Sequence, residues 1–236
     1  GTIKPQKNGK TTLKKIISKI PYISQKEYVK KRFFDAGVDT LEQMRDKLDD
    51  AISNVDKQIG RLYDFLNEKN LIENTIFIIM ADHGSNFGEH TIYFEHSGLY
   101  DEAIHVPLII KIPRIEPKRI DSLTQSIDIA PTILEVLGEK EKNIDGKSLI
   151  TLMKNNGDFR DKTISVDGTS EKAFTIRTKK RKLIVSDSKG CHLCGAPHNQ
   201  NFEEYDLEKD PDERKNIWNK ISAFDKDVAE INSKFF

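Results

Sequence analysis

Between residues 39 and 70, apolar side chains recur at three- and four-residue steps: Leu41, Met44, Leu48, Ile52, Val55, Ile59, Leu62 and Leu66. That spacing puts one apolar stripe on a helix and predicts a long amphipathic helix. Asn74 follows as a turn residue, and the pattern then changes period. Residues 75–81 form a β-branched, uncharged run that is apolar on both faces, as in a strand of a parallel sheet sandwiched by helices. A second such run, "VPLIIKI" at 106–112, predicts another buried strand. In "SIDIAPTILEVLG", Ser126 or Asp128 is suited to cap a helix that tolerates Pro131 in its first turn and stops at Gly138.

The texture shifts after about residue 160. "KTISVDG", "AFTIRTKK", "RKLIVSDS" and "EEYDLE" are short and turn-bounded, which predicts an antiparallel sheet. Residues 212–236 read as a final helix containing Trp218. Residues 1–25 read as irregular, punctuated by Pro5, Gly9 and Pro21. The fold class is therefore α/β. Residues 1–160 make a helix–strand layer, and 161–236 a small antiparallel sheet with a terminal helix.

Composition narrows the function classes. Of 236 residues, 36% are apolar and 32% charged, and 38 basic side chains balance 38 acidic ones. This predicts a polar surface and no nucleic-acid partner. No apolar run approaches the roughly 20 residues that span a bilayer. The location in the cell is left open, because the chain opens on Gly1 and its natural start is expected to be missing. Charge is uneven only near the start, where Lys4, Lys7, Lys10, Lys14, Lys15, Lys19, Lys26, Lys30, Lys31 and Arg32 face Glu27 and Asp35. Without interleaved aromatics this arm reads as a solvated face rather than a groove for a phosphate or sulfate polymer.

The chemistry concentrates in "NTIFIIMADHGSNFGEH", where a strand ends on Asp82, His83 and Gly84. Ligands of open α/β sheets collect at the carboxyl ends of strands. A carboxylate beside an imidazole suits a divalent cation, and Gly84 lets the backbone turn sharply there. The same residues also fit an Asx-turn with an exposed histidine, and composition alone leaves the two readings level.

That stretch, followed by "GLYDEAIHVPLIIKIP", "SIDIAPTILEVLG…DGKSL" and "EEYDLEKDPDERKNI", resembles the successive blocks of the sulfatase family in the alkaline-phosphatase superfamily. The resemblance runs over about residues 39–218 and includes "VDKQIGRLYDFL" in the helix before the strand. It implies part of an alkaline-phosphatase-like α/β sandwich sheet, followed by the small antiparallel sheet. It also implies sulfuric ester hydrolysis of a small sulfated substrate, with a sulfated sugar as the family-level expectation. Asp82 and His83 fall on the family pair that ligates a divalent metal, usually Ca2+, with Mn2+ or Zn2+ as alternatives. His96 stands ten residues before Val106, where the family often has a lysine on the sulfate or leaving-group oxygen. The departure makes His96 the expected catalytic and substrate-binding residue, able to neutralise sulfate or protonate a leaving alkoxide, and it brings pH dependence. His90 is expected to hold its loop, His105 to order the entrance of the second strand, and Asp128 to cap a helix. Asp206 and Asp210 are expected to make turns.

Sulfatases carry an early Cys- or Ser-x-Pro-x-Arg motif, whose first residue becomes the formylglycine nucleophile, and a preceding Asp-Asp pair of metal ligands. Neither occurs in this sequence. The chain is thus expected to be the carboxy-terminal half of a sulfatase, inactive by itself and with an exposed sheet edge. A phosphodiesterase or phosphonate monoester hydrolase of the same superfamily, or a non-catalytic sulfatase-like domain, stays open beside it. So does the role of "CHLCGAPHN", which offers Cys191, His192, Cys194 and His198. The cluster fits a zinc site, a variable surface loop, or a reversible disulfide across Cys191 and Cys194.

Overall fold

The first helices form where the sequence reading expects irregular chain. Helix α1 (Leu13–Lys19) starts at Thr12, whose hydroxyl accepts the Lys15 N–H. Helix α2 (Ile23–Ala36) ends at Gly37, whose φ of 62° provides the left-handed C-terminal turn. Pro21 separates the two helices rather than preventing them. Ile16, Ile20, Val29 and Phe33 are buried together with Val38, Leu41 and Tyr93, and this burial supplies what local propensity does not. The computed structural model describes residues 11–139, 143–155, 157, 159–168, 172–187, 189–191, 194–220, 222 and 224–235. Pro5, Gly9 and the basic-arm residues Lys4, Lys7 and Lys10 lie outside that range, as does His192.

Helix α3 (Leu41–Glu68) is the long helix that the apolar repeat predicts. It opens on a capping box in which the Thr40 hydroxyl accepts the Gln43 N–H and the Gln43 side chain accepts the Thr40 N–H. Only its first turn is buried. Ile52, Val55, Leu62 and Phe65 stay exposed, so the apolar stripe has no cover among the described residues.

Strand β1 (Phe77–Met80) leads into a β2 (Asn86–Phe87) and β3 (Tyr93–Glu95) ladder, then helix α4 (Asp101–Ile104) and strand β4 (Leu108–Lys111). β1 and β4 pair antiparallel, Phe77 opposite Lys111 and Met80 opposite Leu108, and they form a two-stranded sheet. This corrects the parallel expectation. A run that is apolar on both faces fits either pairing, and here the intervening chain returns without the long helical crossover that parallel neighbours require. Met80 and Ile109 remain exposed, so the run is not buried on both faces either.

The "SIDIAPTILEVLG" segment forms a 3-10 turn, Ser126–Asp128, that runs into α5 (Ile129–Val136). Asp128 is fully buried. Its carboxylate accepts the Gln125 N–H at 2.8 Å and the Lys147 N–H at 2.8 Å, and it pairs with Arg160. It is a cap, as expected, and it also ties the segment before α6 (Ile150–Lys154) to α5.

Strands β5 (Thr163–Asp167), β6 (Ala173–Arg177), β7 (Arg181–Ser186) and β8 (Phe202–Asp206) form the expected antiparallel meander in chain order. Alternation gives it two buried faces. Phe174, Ile176 and Leu183 pack against Phe224 and Ile231, the latter on α7 (Asp225–Phe235). Trp218 is not in that helix, contrary to the sequence reading. Asn216 Oδ1 accepts both the Glu204 N–H (3.1 Å) and the Trp218 N–H (2.9 Å), and the Ile217 N–H bonds the Glu204 carbonyl (2.9 Å). These bonds hold the segment extended along β8, where Trp218 stacks on Phe202 at 4.9 Å.

The other face of the meander carries Lys182, Ile184, Glu203 and Tyr205 and clasps residues 92–104. Lys182 is fully buried, with Nζ 2.9 Å from Asp101 Oδ1 and 2.7 Å from Glu213 Oε1. Arg177 forks onto the same Asp101 carboxylate. Burial pushes the Asp101 carboxyl up, but Lys182 and Arg177 outweigh it and hold it below the ordinary carboxylate range. Glu213 gains less compensation, and burial carries it above its ordinary value. Its Oε2 accepts the Asp101 N–H at 2.7 Å, at the start of α4. Glu203 accepts Tyr100 Oη at 2.8 Å and also the Tyr205 hydroxyl.

Gly84 meets this clasped segment directly. Its N–H donates to the Ala103 carbonyl at 2.8 Å, and a Cβ there would overlap the Glu102 carbonyl oxygen. Close backbone approach, rather than a sharp turn, is what requires glycine. Gly84→Ala is expected to cost about 1–3 kcal/mol by overpacking, read as a lowered Tm. Lys182→Met leaves two carboxylates buried without their ammonium and is expected to cost about 3–5 kcal/mol in urea unfolding. Adding Glu213→Leu is expected to recover part of that loss, whereas a fully additive double variant would show that the pair does not interact.

Candidate active site

The strand-end reading places Asp82 and His83 just beyond β1, and the structure brings them to His96. The Asp82 carboxylate is 89% exposed, and its Oδ2 lies 3.6 Å from His83 Nε2. Oδ1 accepts the His83 N–H at 3.0 Å. On the other side of the ring, His83 Nδ1 is 2.9 Å from the Gly84 carbonyl. A carbonyl only accepts, so Nδ1 carries the proton in this contact, and Nε2 of the neutral ring presents its lone pair. A protonated ring would pair its Nε2–H with the Asp82 carboxylate, whereas the neutral ring offers a cation two ligand atoms 3.6 Å apart. The backbone carbonyl sets the Nδ1–H tautomer as it does in metal-bound histidines. The carboxylate suits a hard divalent ion such as Ca2+ or Mn2+, and the imidazole also admits Zn2+. The alternative of a local turn with an exposed histidine fits the same hydrogen bond and the exposure of the His83 ring.

His96 stacks on His83, with ring centroids 4.2 Å apart and planes 23° from parallel. Its ring is about half exposed, so it faces the same open space as Asp82. The neighbour that sequence reasoning missed is Glu95. It is buried on β3 opposite Asn86, one oxygen 4.0 Å from His96 Nδ1 and the other 3.3 Å from Arg32 on α2. Burial and the nearby Cys191 push its carboxyl above the ordinary range. Alternation along β3 gives the only sequence signal for it, since Tyr93 and Glu95 share a face.

The sequence reading expects His90 to hold its loop through hydrogen bonds, but it lies flat against Tyr100, centroids 3.6 Å apart, with Nε2 3.6 Å from Glu102 and outside hydrogen-bond geometry. His105 closes α4 through its N–H to the Asp101 carbonyl (2.9 Å) immediately before β4. Asp206 and Asp210 make turns: the Asp206 carbonyl accepts the Asp210 N–H (2.8 Å), and the Asp210 carboxylate accepts the Lys215 N–H (2.7 Å).

The cysteine loop departs from one of its three readings. Cys191, Cys194 and His198 are buried, so this is not a surface loop. The two sulfurs are thiols. Cys194 Sγ lies 3.0 Å from His198 Nε2, and its hydrogen bond with Cys191, together with burial, raises the Cys194 thiol far above its ordinary value.

With this geometry in place, comparison with known proteins adds a family. The sulfatase family model matches residues 18–139, and the model for the carboxy-terminal region of N-sulphoglucosamine sulphohydrolase matches residues 88–235. An N-acetylglucosamine-6-O-sulfatase of Bacteroides thetaiotaomicron is 30% identical over 192 residues, 76% of this chain and 32% of that protein. A choline-sulfatase of Rhizobium meliloti is 27% identical, over 78% of this chain and 35% of its own length. The chain thus spans about a third of the length of these curated relatives. A solved structure of a protein in complex with its substrate, D-glucosamine-2-N,6-O-disulfate, superposes with a TM-score of 0.58 at 28% identity, covering 78% of this chain and 38% of that one. A phosphonate monoester hydrolase from Silicibacter pomeroyi shares the fold, with a TM-score of 0.57 at 24% identity over 76% of this chain and 37% of its own. Two family models each span more than half of the 236 residues, the first over Asp82, His83 and His96 and the second over His96, and they establish that this chain belongs to the sulfatase family of the alkaline-phosphatase superfamily.

Proposed function

We propose that this chain supplies half of the active site of a metal-dependent sulfuric ester hydrolase, within a longer polypeptide that carries the nucleophile. The observation that carries the reading is the approach of Asp82 Oδ2 to within 3.6 Å of His83 Nε2, beside the stacked ring of His96. Asp82 and His83 would hold a divalent cation, for which Ca2+ is our first assignment. The cation would supply charge stabilisation to the sulfate oxygens.

The chain's own residues do the rest. The Gly84 carbonyl holds His83 in the tautomer that offers Nε2. His83 in turn supports the His96 ring from behind, which leaves the exposed edge of His96 for the substrate. From there His96 would neutralise a sulfate oxygen or deliver a proton to the departing alkoxide. Tyr100 and Asp101, clamped by the small sheet, fix the backbone that carries His96.

The longer polypeptide is supported by two physical features besides the share of relatives' length. The α3 stripe of Ile52, Val55, Leu62 and Phe65 is bare, and the β1–β4 pair has no further partner strand among the described residues. Both are surfaces that additional strands and helices of an α/β sandwich would cover. Taken alone, the chain is not expected to turn over substrate. For the substrate we assign a sulfated amino sugar, on the 30% identity with the N-acetylglucosamine-6-O-sulfatase.

The test is turnover by the full-length protein on glucosamine 6-sulfate and on an aryl sulfate, with a phosphonate monoester as the competing substrate. Sulfate release is expected, and preferential phosphonate hydrolysis would replace the sulfatase reading with the phosphoester one. Asp82→Ala is expected to lower kcat/KM by more than about a hundred-fold, and His96→Ala to lower kcat by about a hundred-fold with a flattened pH profile. Near-full turnover in Asp82→Ala would dismiss the metal assignment.

A further inference from the structure

The buried thiol–imidazole cluster lies outside the open site and performs no step proposed for it. Cys191 and Cys194 sit on the long connection between β7 and β8, and His198 follows four residues later. One ligand-capable atom from each, the two Sγ atoms and a ring nitrogen, lies within 4.8 Å of the other two. The loop is shaped for this. The Gly195 N–H donates to the Cys191 carbonyl at 2.7 Å and the Cys191 N–H to the Ala196 carbonyl at 2.9 Å, folding the two cysteines towards each other. Gly190 and Gly195 take the left-handed φ values, 98° and 75°, that such a fold requires. The His198 carbonyl lies 3.3 Å from Tyr100 Oη, which sets the backbone that carries the ring.

A second observation points to a cation. Glu95 is 3% exposed, and its Oε2 has no hydrogen-bond partner among the described residues. Two soft sulfurs and one imidazole nitrogen form a ligand set that favours zinc over calcium or magnesium, with the buried Glu95 carboxylate near the cluster. Tetrahedral zinc, with Zn–S near 2.3 Å and Zn–N near 2.0–2.1 Å, separates its ligand atoms by about 3.5–3.8 Å. The 3.0 Å contact between Cys194 Sγ and His198 Nε2 needs to open by only about half an ångström to admit the ion.

We infer that Cys191, Cys194 and His198 form a structural zinc site, its fourth position taken by a water that donates to the buried Glu95 carboxylate. The ion is structural because all three ligands and Glu95 are buried. It would staple the β7–β8 connection to α2, where Tyr28 packs on the cluster and Ser24 lies against Gly195. It would also anchor the strand end that precedes His96. The inference does not depend on the sulfatase chemistry, and its test does not use turnover.

The experiment is metal analysis of the purified full-length protein by mass spectrometry, followed by exchange of the bound ion for Co2+. The expected result is about one zinc per chain, retained in Asp82→Ala and lost in Cys194→Ser and in Cys191→Ser, with thiolate-to-cobalt charge-transfer absorption in the exchanged wild type. Stripping the wild type with a strong chelator is expected to lower its Tm. If the serine variants fail to fold, the wild-type measurements decide alone. Folded wild type holding less than about a tenth of an equivalent of zinc and lacking that absorption would overturn the site. So would peptide mapping that finds a Cys191–Cys194 disulfide.

Discussion

The buried Lys182 ammonium joins the two parts of this molecule. A fully buried lysine is tolerated only when its charge is met, and here Asp101 and Glu213 meet it from two different segments. Asp101 belongs to the stretch that carries His96, and Glu213 to the chain that leaves the small sheet. Removing the ammonium would leave the buried Glu213 carboxylate uncompensated and Asp101 with Arg177 alone, which loosens the hold of the small sheet on the His96 loop. Tyr100 repeats the logic one residue earlier, spending its hydroxyl on Glu203. The small sheet is therefore less an appendage than the rigid backing of the loop on which the proposed chemistry depends.

How much of this was readable in the sequence depends on the range of the forces involved. The four strands of the meander and the start of α3 were legible because alternation, heptad-like spacing and the Thr40–Gln43 capping box are local. Asp82, His83 and His96 were legible only with the family resemblance, since their stacking joins residues on separate turns. The early helices were missed because lysines dilute their apolar pattern, and only the burial of Ile16, Val29 and Phe33 against Tyr93 reveals it. Trp218 was misplaced for a related reason. Its segment has helix-compatible composition, but Asn216 bonds β8 and takes the backbone elsewhere. Nothing local in "RKLIVSDS" marks Lys182 as the buried member of a lysine-rich run. Its position opposite Tyr205, on the face that Ile184 shares, is a consequence of register.

Register also explains why the two candidate metal centres differ in character. Asp82 and His83 follow the last paired residue of β1, where the chain leaves the sheet and side chains meet solvent. Hard oxygen and a single imidazole lone pair in water suit an ion that exchanges ligands with a substrate. The cysteine cluster lies behind the same loop, where Glu95 points inward as His96 points out. Alternation between these two neighbours separates the chemistry: one residue faces the substrate, and the next faces a buried ligand set. A metal at the inner site would add a second clamp to the segment that Lys182 and Tyr100 already hold from the sheet side.

The bare α3 stripe and the half-open β1–β4 pair constrain the site from the opposite direction. Four large apolar residues on one helical face cost solvation free energy unless something covers them, and exposed apolar patches of this kind mark contact surfaces. β1 ends at Met80, two residues before Asp82, so whatever pairs with its free edge lies close to the proposed metal ligands. In an α/β sandwich the strands beside β1 would also end near Asp82 and His83. Under the proposed function, the free edge of the β1–β4 pair among the described residues is the edge across which further ligands and a nucleophile would arrive.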